Sequence, residues 1–401
     1  MGRPNPHAKV RKGRLGRIKP SYLVLLALLP LLILLYTQDP DYQRALRFLL
    51  PGLNYTISVT VLGYALASVL GLALAGMMLV PLGRWTVPGF YAAAAVLAVG
   101  GGATLTFPTE ELVLAGGTEG RVAILRGTPT RLVDVLKEGS YAEGAEGRSF
   151  VSALDAGAAL GYLEEGRVGA VFLPGEEIPP ELEERWRVTF LPDSARNPAM
   201  LALALGFLLA LLAFAAQQSR EHPLSVFAEL YVDLIRGVPM LVVILFIGFV
   251  IPGAVRDLTG GRIVIQSDLL RGVLAIAIGY AAYMAEIFRA GIEAIPRGQV
   301  EAARSLGLDG MQTARFVVLP QAIRIVLPPL GNEFIAMLKD TALLSVIGVG
   351  DVTQKAREFG AATLNLFPPY NSAAVIYIAL TLSASSLLHW LERRADVSKG
   401  G

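Results

Sequence analysis

Few residues in this chain are of a type that does chemistry, and they are widely spaced. The sequence has no cysteine and three histidines. Disulfides, thiolate zinc sites and cysteine nucleophiles are therefore excluded. His7 lies in an N-terminal tail, His222 in a polar turn and His389 near the end of an apolar run, a distribution that predicts no metal cluster. No Gly-x-x-x-x-Gly-Lys-Ser/Thr stretch occurs, so the chain is not expected to hydrolyse ATP by itself. What remains is a set of charges set within apolar sequence. Such charges are costly in lipid and are as a rule functional or paired. Glu286 and Arg289 are three residues apart on a helical pattern and are expected to pair with each other. Glu333, in Gly331-Asn332-Glu333, falls inside a later apolar run. Two readings are open for it: it faces a pathway and meets an ammonium or guanidinium, or it pairs with a neighbouring helix. Lys339, Asp340 and Thr341 follow at the outer end of that run and, with Asn332, complete the candidates for a substrate pathway or gate.

A second group of residues suggests mechanical work. From Ala282 to Gly307 the chain begins as the tail of a hydrophobic helix and ends as a short polar segment. Pro296 stops the first helix, because proline lacks the amide donor and disfavours helix in the residue before it. Glu301-Ala302-Ala303 then starts a short second helix, which Gly307 closes as its C-cap. Leu319-Pro320 opens the next apolar segment. A compact helix between two membrane spans is a good shape for a knob that another protein grips. By itself Glu301-Ala302-Ala303 would pass for an ordinary solvated helix start.

The arrangement resembles the EAA loop of ABC-importer permeases. That pattern is Glu-Ala-Ala, three residues, Gly, nine residues, an aliphatic, one residue and Leu-Pro; this chain has Glu301-Ala302-Ala303, Gly307, Val317 and Leu319-Pro320 at those spacings. Arg236-Gly237-Val238-Pro239 is similar to the Arg-Gly-Thr-Pro of polar amino acid permeases, and Leu338 to Gly348 also resembles that subfamily. The resemblance covers about 49–79 and 224–391 and leaves out 1–48 and most of 80–222. It implies a type I permease core in a bacterial cytoplasmic membrane. It also implies an ABC ATPase that carries ATP-Mg and grips Glu301, Ala302, Ala303 and Gly307. An extracytoplasmic solute-binding protein and a second permease copy or paralogue are the other implied partners, beside membrane lipid. No cofactor in this chain and no nucleic acid are implied. The function would be import of polar amino acids by alternating access, a rigid-body kind of switching. The alternatives are a permease for another small solute and an extracytoplasmic sensor whose membrane part does not transport.

The elements that must position these residues follow from hydropathy. Hydrophobic residues make up 54% of the chain and charged residues 17%, and the mean hydropathy is +0.54. These values indicate a membrane protein. The net charge of +2 is uninformative, because the charges are unevenly placed. We expect an all-α polytopic membrane protein of about eight transmembrane helices with a small α/β insertion outside the membrane. A basic tail, 1–20, precedes transmembrane helices one to three in 21–107. The insertion is 108–196. Helices four to eight occupy 197–391, including the coupling loop 293–316, and 392–401 is a second tail. The first span, Ser21–Tyr36, has no small-x-small site after it and is read as an uncleaved helix. Arginines at 84, 220, 289, 297, 304 and 315 fall in the turns that eight spans would place inside, with both termini cytoplasmic.

Residues 108–196 are rich in Asp and Glu and contain no spanning run. Arg121–Leu125, Ala170–Leu173 and Trp186–Leu191 read as strands, and Leu132–Leu136 and Phe150–Leu163 carry helical spacing. The expected order is strand, helix, helix, strand, strand in a domain of about 90 residues. Arg126–Thr130 and Gly166–Val171 look loosely like pieces of a periplasmic solute-binding lobe. The other reading is an extracytoplasmic spacer or docking domain.

Overall fold

The computed structural model describes residues 30, 33–34, 36–107, 110–142, 145–259 and 263–396. In chain order, two long helices come first, α1 (Pro40–Met78) and α2 (Thr86–Thr106). A mixed segment follows: β1 (Glu110–Gly116), β2 (Val122–Leu125), α3 (Thr130–Glu138), β3 (Phe150–Ala153), α4 (Ala156–Glu164), β4 (Ala170–Pro174) and β5 (Glu184–Phe190). The helices then resume as α5 (Asp193–Ser219), α6 (Pro223–Gly237), α7 (Met240–Leu245), α8 (Ile251–Leu258) and α9 (Asp268–Glu293). Two short helices, α10 (Arg297–Ser305) and α11 (Gly310–Thr313), lead to α12 (Leu319–Asp340), α13 (Val352–Thr363) and α14 (Phe367–Asp396). Among the described residues six helices are long and apolar enough to cross a membrane. A seventh span is the pair formed by α6 with the segment Met240–Arg256, bent by 108° where Val238-Pro239 interrupts the helix. Together these match the second to eighth expected spans; the first, Ser21–Tyr36, lies largely outside the described residues.

The chain divides into two compact units, Met1–Met77 with Leu230–Pro252 and Ile265–Gly401, and Met78–Glu229 with Gly253–Val264. In the first, α9 is the central helix, with 56% of its apolar window buried. Glycines on α1 let it lie close to α9: a Cβ at Gly63 would meet Ile276, and one at Gly71 would meet Met284. Small residues at such contacts allow close packing where lipid supplies no hydrophobic drive between helices. The core comprises Val59, Ile244, Ile276, Met284, Met337 and Leu344. In the second unit α2 and α5 pack along their lengths, with Gly101 against the Ala199 carbonyl and Gly206 against that of Ala94.

The sheet of the second unit runs β3-β2-β4-β1-β5. β2 is parallel to β3 and β4, while β1 is antiparallel to β4 and β5. One face packs with α3 through Leu112, Leu114, Ile124, Leu132, Leu136 and Phe172. The other packs with α4 through Val113, Val171, Leu173 and Ala159. The sequence reading is corrected here in two places. Phe150–Ala153 is a strand, and the helix begins only at Ala156, where the Asp155 side chain accepts the Ala158 amide as an N-cap. β1 was not foreseen, because a central strand buried on both faces has no alternation to reveal it.

Candidate functional site

The segment between α9 and α12 is built as a separate, exposed knob. Pro296 precedes α10, which runs from Arg297 to Ser305. Its end is a Schellman closure, with the Leu308 amide donating to the Ala303 carbonyl at 3.2 Å and the Gly307 amide to that of Arg304 at 2.9 Å. Gly307 sits at φ +87°, a region costly for a residue with a Cβ. Asp309 and Gln312 then form a capping box that starts α11. Glu301 and Ala302 are exposed, whereas Ala303 is 5% exposed and seats the helix on its own chain. The Gln321 amide donates to Gln299 Oε1 at 2.7 Å and ties α12 back to α10. Leu306 and Met311, 82% and 78% exposed, flank Gly307 and give the knob an apolar rim.

Between α11 and α12 the five residues Ala314–Val318 form a π-type turn, closed by the Leu319 amide donating to the Ala314 carbonyl. A second such turn, Phe246–Val250, follows α7. Such single turns recur where helices carry function.

The pathway candidates separate by face on α12. Glu333, Met337 and Asp340 follow each other at helical spacing, and Met337 is part of the buried core. Glu333 and Asp340 are accordingly partly buried. The Tyr280 hydroxyl on α9 donates to Asp340 Oδ2 at 2.8 Å. Glu333 lies within electrostatic reach of Asp340, Tyr280 and Tyr64 of α1. Thr341 is buried, its hydroxyl donating to the Leu338 carbonyl at 2.7 Å. Asn332 and Lys339 stand one residue back on the helix and are exposed. Neither Glu333 nor Asp340 has a basic side chain at ion-pair distance among the described residues. Glu286 differs: it pairs with Arg289 at 3.2 Å and lies 3.9 Å from Arg236, so it is structural, as its spacing to Arg289 predicted.

Sequence reasoning missed two groups. Tyr280 carried no signal, because its partner is sixty residues away in sequence. The other is Asp351, which caps α13 through the Gln354 amide and accepts the Tyr377 hydroxyl of α14 at 2.9 Å. Beside it the Val352 amide donates to Thr56 of α1 at 3.3 Å, and a Cβ at Gly52 would meet the Asp351 carbonyl at 2.7 Å. This buried polar knot joins three helices. Among the described residues no group of three or more His, Asp or Glu is placed to hold a metal.

Comparison with known proteins places the C-terminal half of the chain. Residues 202–397 match the family described as the binding-protein-dependent transport system inner membrane component. The glutamine transport system permease protein GlnP of Escherichia coli (strain K12) is 38% identical over 199 residues, covering 50% of this chain and 88% of that one. The arginine ABC transporter permease protein ArtQ of Haemophilus influenzae is 37% identical, with 49% and 87% covered. The L-cystine transport system permease protein TcyB of Bacillus subtilis (strain 168) is 36% identical, with 49% and 81% covered. A solved structure described as an amino acid ABC transporter with histidines is 45% identical, covers 43% of this chain and 77% of that one, and superposes with a TM-score of 0.38. The sheet domain lies outside the matched 202–397. The knob with its Glu301-Ala302-Ala303 and Gly307, the bent pair of helices and the three permease proteins at 36–38% identity together identify the chain, which belongs to the polar amino acid ABC transporter permease family, whose members are non-catalytic membrane subunits served by a separate ATPase.

Proposed function

We propose that this chain forms the translocation pathway of an ATP-driven importer for polar amino acids and that a partner ATPase grips α10. The observation that carries the coupling is the exposed position of α10, a short helix that starts after Pro296, is closed by Gly307 and is set between two spans. Glu301 and Ala302 present its outer face, with Ala302 admitting close approach and Glu301 offering a carboxylate to a basic partner residue. When two ATPases close on ATP, the knobs of two permease copies or paralogues draw together and rock the spans between inward and outward states. An extracytoplasmic solute-binding protein delivers the amino acid. Both termini and α10 lie on the cytoplasmic side of the bacterial inner membrane, and the sheet domain lies outside it. Glu333 and Asp340 line the pathway, Thr341 is packed behind them at its gate, and Asn332 and Lys339 stand at its margin.

The test is co-purification with the ATPase, followed by ATP-driven uptake in liposomes supplied with the binding protein. Gly307→Asp is expected to abolish uptake, because it sets a new carboxylate on the exposed rim of the knob that the ATPase grips, in addition to the strain of a side chain at positive φ. Glu333→Gln is expected to alter uptake while leaving ATPase association intact. A chain that binds no ATPase and still takes a ligand through its sheet domain would support the sensor reading instead.

A further inference from the structure

Where α2 begins and α5 ends, the two helices leave a groove of about 630 Å³ between them, the size of a small-molecule site. Leu82, Val87 and Ala216 make an apolar wall, and Tyr91, Gln217 and Arg220 stand along it. α2 has 21 residues, about 31 Å of helix, which matches the apolar part of a bilayer. Its first residue, Thr86, and the last of α5, Ser219, therefore lie at headgroup level, with Tyr91 about 8 Å deeper. The groove thus spans the level at which a lipid headgroup meets its acyl chains. Arg220 caps α5 at φ +62° and makes no ion pair among the described residues. No acid lines the groove, and Glu221, next in sequence, is exposed outside it. The Tyr91 hydroxyl donates to Gln217 Oε1 at 3.4 Å, which leaves the amide end of Gln217 to a ligand. A second groove, of about 430 Å³, runs on the other face of α2 along Trp85, Gly89, Phe90, Ala93 and Leu209 and carries no charged residue.

We propose that the groove holding Arg220 is a binding site for an anionic phospholipid. The Arg220 guanidinium and the Gln217 amide donate to the headgroup phosphate, for which the planar fork of arginine is well matched. An acyl chain lies along Leu82, Val87 and Ala216. A zwitterionic lipid brings an ammonium as well, and the lining has no carboxylate to receive it. An apolar helix of another protein would fill the groove and leave Arg220 without a counter-charge at the edge of the bilayer, which is costly. An anionic lipid supplies the charge and the apolar chain in one molecule. The arrangement proposed above puts this end of the hairpin on the cytoplasmic side, where basic pockets between spans take such headgroups. The site belongs to the hairpin and would serve a transporting and a non-transporting chain alike.

In the experiment the full-length chain in detergent is titrated with phosphatidylglycerol and, in parallel, with phosphatidylcholine, and the lipid retained is counted by native mass spectrometry. Phosphatidylglycerol is expected to bind about tenfold or more tightly, the range for hydrogen bonds to a charged group. R220Q, which keeps most of the side chain's length, is expected to bring that ratio close to one. R220K keeps the charge and is expected to retain part of the preference, and Q217L to lower it partway. G89L fills the second groove, where a new side chain meets no neighbour within 4 Å, and is expected to leave the ratio unchanged. Soluble glycerol phosphate at matched concentration is expected not to displace the lipid. If R220Q fails to fold, Q217L and the wild-type ratio still decide. Equal retention of the two lipids by the wild type, or an unchanged ratio in R220Q, would overturn the site and leave only a lipid annulus. A ratio abolished by G89L would place the lipid in the other groove and overturn the assignment to Arg220. Displacement by glycerol phosphate would show a site for the phosphate alone and overturn the lipid.

Discussion

On β1 the side chains of Val113, Leu114 and Ala115 are wholly inaccessible, whereas on α2 Val96 and Val99 are 71% and 72% exposed. Both stretches are apolar, and composition alone does not tell them apart. The sheet domain sits in water and buries its apolar residues on both faces of the sheet, under α3 on one side and α4 on the other. The spans are solvated by lipid, where an outward valine costs nothing. Within them the interior is marked by glycine, alanine and paired polar groups, as on α9 and around Asp351. Hydrophobicity therefore locates the core in one region and the solvent-facing surface in the other.

Four substitutions press on that contrast. Phe172→Ala removes a fully buried ring stacked on Trp186 and is expected to destabilise the sheet by about 3–5 kcal/mol. Hydrogen exchange of the full chain reads it as loss of protection confined to residues 110–190. An effect spread into the spans would break the separation drawn here. Tyr377→Phe strips a donor from buried Asp351 and is expected to cost about 1–3 kcal/mol, visible as a lower midpoint of thermal unfolding in detergent. Gly307→Ala meets no neighbour within 4 Å, so its expected cost of about 1 kcal/mol comes from backbone strain alone. Exchange in α10 should report it, and uptake should fall by less than in Gly307→Asp. Val96→Ala should change the stability by under about 0.5 kcal/mol and leave the unfolding midpoint nearly where it was, since lipid tails are as apolar as the side chain removed. A cost like that of Phe172→Ala would show that α2 is covered by protein.

The spans and the knob were legible because hydropathy and the Pro296, Glu301, Gly307 and Leu319-Pro320 spacing are local signals. The strands β2, β4 and β5 were legible for the same reason. β1 was not, since Leu112 to Ala115 lack alternation, and β3 was not, since four residues are too few to separate from the helix that follows. Glu333 and Asp340 could be named, but their shared inward face, set against the outward one of Asn332 and Lys339, needed the helix phase. Tyr280 and the Thr56–Asp351–Tyr377 knot join segments far apart in the chain and leave no local trace.

The π-type turn at Ala314–Val318 holds one residue more than an α turn would. If that surplus were released while α10 stayed clamped, α12 would swivel by about 100°, one residue's worth of helical phase. Asn332 and Lys339 would then come round to the places of Glu333 and Asp340. The Tyr280 hydroxyl, now bonded to Asp340, would meet a different side chain, so a tug on the knob would be felt on α9 as a change of partner.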